Sequence, residues 1–203
     1  MMILTPIPRD RLAAALDRFA GQLDDRGARA AFGRIRATAA ERADGAAAET
    51  HRREALALAR NCGMKIHPAG TNSAFNWDGA ALNGNTEAYV ILHEVAHFVL
   101  APPERRRLVD FGLGAGPDTT ERAAAERAAL LPIIERDHDE AAASLLGILW
   151  EAALGQPALA SFLDQNWLEG LERSAAPAAA HFTAVFHDLR QRGLIDATQG
   201  APA

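Results

Sequence analysis

The stretch Tyr89-Val90-Ile91-Leu92-His93-Glu94-Val95-Ala96-His97-Phe98-Val99-Leu100 constrains the fold more than any other. Apolar residues surround its three polar ones on nearly every side, so it reads as a buried helix. Residues i and i+4 of a helix lie one above the other, which lets His93 and His97 offer imidazole nitrogens to one metal ion. Glu94 stands about 100° round the helix from His93, where a carboxylate can act as a general base beside the metal. The pattern is H-E-x-x-H, expected by chance in about one or two of a hundred chains of this composition. Burying two histidines and a glutamate without partners costs several kcal/mol, which favours a metal site over a pair of structural histidines.

Two histidines call for a third protein ligand, and a carboxylate from a following helix is a common source. Asp110, Glu121, Glu126, Glu135, Asp137, Asp139 and Glu140 are the candidates. Glu140 is preferred because it opens the apolar stretch Asp139 to Leu154, and Ala141-Ala142-Ala143 leave room for close packing against the H-E-x-x-H helix. The competing role for Glu140 is to stabilise a helix N-terminus, worth about 0.3–1 kcal/mol. Glu135 and His138 are the substitutes. Two histidines and one carboxylate support two chemistries: with Zn(II), Glu94 takes a proton in peptide hydrolysis; with Fe(II), the open positions serve dioxygen and hydroxylation. A closed four-ligand structural site is the non-enzymatic alternative, and the two-histidine, cysteine-free pattern argues against it.

The rest of the chain predicts an α+β fold, mostly helical, in a single domain over 1–203. Its parts are a helical N-terminal layer at 1–62, a metal-binding core at 63–175, a C-terminal helix at 176–196 and a disordered tail at 197–203. Helices are expected over about 9–23, 28–42, 46–61, 121–136 with an interruption at Pro132, 139–154, 158–165 and 178–192. Gly63 to Pro68 predicts a short strand, followed by turns to Asn85 that form either one wall of a cleft or an edge hairpin. The glycines of Gly112-Leu113-Gly114-Ala115-Gly116 lack the spacing and the βαβ frame of a dinucleotide fingerprint, so they predict a plain loop.

Charge and cysteine usage exclude several classes. The net charge is −5, and acidic residues interleave the N-terminal arginines, so a nucleic-acid partner is not expected. Cys62 is the only cysteine, which rules out an intramolecular disulfide and a thiolate zinc site. With no membrane-spanning apolar run and no signal-peptide pattern, a cytoplasmic location without membrane association is expected.

Leu92-His93-Glu94-Val95-Ala96-His97, Arg106-Arg107-Leu108-Val109-Asp110-Phe111-Gly112, Pro117-Asp118, the acid-led helix from Glu140 and Asn166-Trp167-Leu168-Glu169-Gly170 together resemble the elongation factor P hydroxylase family in order and spacing. The resemblance covers about Tyr89 to Gly170. It implies a metallopeptidase-like (zincin-like) core, His93, His97 and Glu140 as iron ligands with Glu94 beside them, and hydroxylation of a modified lysine of a translation factor, elongation factor P. The chain departs from that pattern at Leu113-Gly114-Ala115-Gly116, at Thr119-Thr120 and at Ser144, where the family tends to have glutamine. A shorter similarity, from Glu140 to Gly147, is to the glutamate helix of small regulatory zinc metallopeptidases.

Overall fold

The computed structural model describes residues 7–71, 73–116, 119–168 and 174–196. Eight α-helices account for most of them: α1 Arg9–Gly21, α2 Arg26–Arg36, α3 Gly45–Asn61, α4 Ala88–Leu100, α5 Arg122–Ala128, α6 Ile133–Ala153, α7 Ala158–Asp164 and α8 Ala175–Gln191. The mostly helical expectation holds. The strand does not form: among the described residues only two isolated β-bridges occur, Ile66 with Leu82 and Trp77 with Leu82. The Leu82 amide donates to the Lys65 carbonyl at 2.8 Å and the His67 amide to the Leu82 carbonyl at 3.0 Å. Because neither bridge extends into a ladder, these bonds close a loop and do not start a sheet. The expected tail at 197–203, Pro117-Asp118 and Glu169-Gly170 lie outside the described residues.

The helices divide into two compact units, 1–42 with 148–203, and 43–147. The expected N-terminal layer is therefore shared out, with α1 and α2 in the first unit and α3 in the second. In the first unit α1 meets α8 and α2 meets α7. Phe19, Phe32, Phe162 and Phe182 fill its centre with ring centroids 4.7 to 6.4 Å apart, mostly in tilted or edge-on pairs. The α2 helix starts where Asp25 accepts the Ala28 amide at 2.8 Å. It ends at Arg36, short of the expected Arg42, because the Thr38 hydroxyl turns back to the Ile35 carbonyl and accepts the Leu159 amide. That one hydroxyl closes α2 and meets the first turn of α7.

In the second unit α3 packs along α4 through small residues, Ala55 and Ala59 being fully buried. The α6 helix begins directly after Pro132, whose carbonyl takes the Arg136 amide. A proline at a helix start gives up only a donor that has no intrahelical partner there. The proline expected to interrupt a helix therefore begins the longest one. After a short 3-10 turn that ends at Gly112, the glycine-bearing stretch runs on as a loop, as expected, and its Ala115 amide donates to the Glu126 carboxylate at 3.1 Å.

Candidate metal centre

The α4 helix presents His93 and His97 one turn apart, their rings 4.6 Å between centroids and nearly perpendicular. Their Nε2 atoms stand 3.0 Å from each other. Glu140 Oε2, from α6, lies 3.2 Å from the Nε2 of His93 and 3.4 Å from that of His97. These three donors make a nearly equilateral triangle. Atoms bound about 2.1 Å from one ion are about 3.0 Å apart in octahedral and about 3.4 Å apart in tetrahedral coordination. The donor set and its edges fit a divalent metal ion.

Close helix approach brings Glu140 into that triangle. A Cβ built on Gly147 would stand 3.3 Å from the His93 Cα and backbone nitrogen, so α6 meets the α4 backbone closely there and a side chain would make it give by a few tenths of an ångström. Ala142 and Ala143 are buried, as their size predicts, and Gly147 continues the line of small residues. Glu140 sits two turns inside α6, so a role at the helix N-terminus is closed to it. Its side chain keeps 50% exposure while that of His97 has 3%, which leaves the triangle buried on one side and open on the other. Glu135 and His138 are exposed and take no part in the cluster. Of the other candidates, Asp139 and Asp110 lie close by in different roles.

Asp139 Oδ1 is 3.2 Å from His97 Nδ1, on the side of the ring away from Nε2. Its Oδ2 accepts from Arg105 Nη1 at 2.8 Å, and Arg105 Nε donates to the Phe111 carbonyl at 3.0 Å. Phe111 stacks on His97 at 5.6 Å and on Trp77 at 5.5 Å. Trp77 is fixed by its indole donating to the Arg106 carbonyl. Asp110, Phe111 and Gly112 all have left-handed backbones, at φ 43°, 53° and 69°, a sparsely populated conformation for the first two. That turn places Asp110 within electrostatic reach of Glu94 and His97. The Thr119 hydroxyl donates to Asp110 Oδ2 at 2.5 Å. Asn76 Nδ2 donates to Glu94 Oε1 at 3.2 Å, so the irregular segment before α4 reaches the site.

Protonation follows from burial and neighbours. Burial pushes Glu94 up to about 8, against the pull of His97. Burial would lower His97, but Glu140 and Asp139 outweigh it and hold the imidazole up at about 10 when no metal is bound. For Glu140 burial acts upward, yet His97 and His93 hold the carboxyl far below its ordinary range. Burial lowers His93. Burial also raises Asp110, while for Asp139 the bonds from His97 and Arg105 overcome burial and lower it. Four carboxyl groups, from Glu94, Asp110, Asp139 and Glu140, thus surround two imidazoles with one guanidinium among them. Glu94 holds its proton at neutral pH, so the negative charge that suits a divalent cation comes from Asp139 and Glu140, the two whose carboxyls are lowered.

Sequence reasoning brought forward His93, Glu94, His97 and Glu140, and the fold gathers all four. The sequence offers Asp139 and Asp110 as ligand candidates, whereas the fold puts them beside the triangle together with Asn76 and Arg105. The signal for Asp139 was its place next to Glu140; nothing in the local pattern marks Asn76 or Arg105. The chain matches no family model, no curated protein and no solved structure.

Proposed function

We propose that this protein is a non-haem iron hydroxylase that acts on a protein, resembling elongation factor P hydroxylase, with a modified lysine of that translation factor as substrate. The observation that carries this reading is the triangle of two imidazole nitrogens and one carboxylate oxygen on one side of the site, the donor set of non-haem ferrous oxygenases. Bound there, Fe(II) supplies the activation of dioxygen needed to hydroxylate an unactivated carbon. His93, His97 and Glu140 hold the ion. Asp139 keeps the His97 ring in one orientation, and Phe111 and Trp77 keep water from the buried side of that ring. Glu94, held by Asn76, stores or releases a proton near neutral pH. The metallopeptidase-like core of the proposal is a helix carrying both histidines packed on a second helix carrying the acid.

A second reading, zinc peptide hydrolysis, draws support from Glu94 alone. A buried carboxylate beside the two histidines and raised to about 8 is placed as a proton acceptor for a hydrolytic water. Elemental analysis of untagged protein purified anaerobically separates the readings, with His93→Ala as the blank. Near-stoichiometric iron that is missing from the variant, followed by one added oxygen on elongation factor P in a mass spectrum, is the expected result. Zinc alone, with peptide cleavage lost in Glu94→Gln, would replace it with the second reading. Equal metal in wild type and blank would remove the site.

A further inference from the structure

We propose that Arg105 is a positioning residue for the metal site: by holding Asp139, it fixes the His97 ring with Nε2 directed at the other two donors. This rests on the reading of His93, His97 and Glu140 as metal ligands. The two oxygens of Asp139 have separate tasks, Oδ1 facing His97 Nδ1 at 3.2 Å and Oδ2 accepting from Arg105 Nη1 at 2.8 Å. An ionised carboxylate only accepts hydrogen bonds, so His97 must carry its proton on Nδ1, which leaves the Nε2 lone pair free for the ion. With a free carboxylate, rotation about the terminal bond would let that contact slip. Arg105 removes the freedom because it is itself fixed by its Nε bond to the Phe111 carbonyl and is only 8% exposed.

Stability gives little reason for an arginine at this place. Among the described residues its Nη2 is buried with no partner, and well-packed apolar residues usually replace a buried ion pair at little or no loss. Orientation gives a better one, since the planar guanidinium donates in two directions at once and a lysine ammonium has no such rigid fork. Arg105 therefore joins α6, through Asp139, to the left-handed turn that carries Phe111.

Zinc affinity of the full chain, measured by competition with a chelator at one neutral pH, tests the assignment. Arg105→Met and Asp139→Ala should each weaken zinc binding by about 10–100-fold, the usual cost of losing such an outer partner. The double variant should bind no more weakly than Asp139→Ala, because the arginine acts through the aspartate. In nitrogen-resolved NMR of the zinc-loaded protein, the His97 Nδ1 proton should be protected from exchange in wild type and exposed in Arg105→Met. Arg105→Lys should fall between, and it replaces Arg105→Met in the cycle if that variant does not fold. Wild-type affinity in the Arg105 variant, or losses that multiply in the double variant, would overturn the proposal; multiplication would mean that Arg105 acts through Phe111. Failure of wild type to bind zinc or iron would remove the metal reading and this proposal together, whereas metal binding indifferent to Arg105 would remove this proposal alone.

Discussion

Two carboxylates of α6, Glu140 and Glu151, each sit in a polar cluster, yet the clusters are built on opposite principles. Glu151, 2% exposed, is part of a cluster in which donors stand between acceptors. Arg42 Nη1 is 3.5 Å from Glu151 and 2.7 Å from the Ser161 hydroxyl, and Arg42 Nη2 reaches Asp164 at 2.9 Å. Around Glu140 acceptors face acceptors, with two imidazole Nε2 atoms 3.0 Å apart and a carboxylate oxygen beside both. Such an arrangement holds only if a proton or a cation stands among the lone pairs. The first cluster uses charge to join α6 and α7; the second turns three donor atoms toward one point, where a proton or a cation can stand.

The largest expected effects fall on the second cluster. Glu140→Ala should abolish metal binding in elemental analysis, as should His97→Ala, while Glu135→Ala and His138→Ala should keep it. Retention of metal by Glu140→Ala and its loss from either of the other two would move the third ligand. Glu151→Gln should leave metal content unchanged, which is what separates the two clusters.

That same variant sharpens the contrast through pH. Burial raises the folded-state Glu151 from an ordinary 4.5 to about 7, so the native state holds its proton more tightly than the unfolded chain. Wild-type stability should then fall as pH rises from about 4.5 to about 7, and glutamine has no such titration. In urea melts at a series of pH values, Glu151→Gln should gain on wild type by about 3 kcal/mol across that window and by nothing further above it. A pH-independent difference would mean that Arg42 already neutralises the cost.

Smaller effects test the packing behind each cluster. Gly147→Ala puts a methyl against the His93 backbone, and either α4 or α6 must give by a few tenths of an ångström. It should cost about 1–3 kcal/mol of stability and also weaken metal binding, because the same approach sets the donor triangle. Loss of stability with unchanged affinity would separate helix spacing from the site. In the first unit, Asp25→Ala removes the α2 cap and a 3.0 Å contact to His187, and should cost about 1 kcal/mol in thermal melts with no effect on metal.

The site was legible in the sequence to the extent that it is local. His93, Glu94 and His97 share one helix, and their mutual placement follows from 3.6 residues per turn alone. Glu140 is reachable by asking which following acid precedes small residues, although nothing in the sequence marks the close contact of Gly147 with the His93 backbone. The sequence pattern puts Glu140 at a helix start because Pro132 reads as an interruption, whereas that proline begins α6 and leaves Glu140 two turns inside it. The same limit applies to the strand expected at Gly63 to Pro68, since a strand needs a partner and, among the described residues, the pairing there is one isolated bridge from Ile66 to Leu82.

The sequence by itself determined the helices, the two histidines at helical spacing and the apolar setting that makes them costly without a partner. Tertiary structure decided which carboxylate completes the triangle, that Asp139 faces the far nitrogen of His97, and that Asn76 and Arg105 belong to the site at all. The physical reason is range. Backbone geometry fixes relations within one helix whatever surrounds it, whereas a contact between residues tens of positions apart exists only after the chain has paid the entropy of closing the loop between them. Asn76 lies on an irregular segment and Arg105 on a single 3-10 turn, neither long enough to show a period, so the packing of Trp77 and Phe111 against α4 is what brings them to the two histidines.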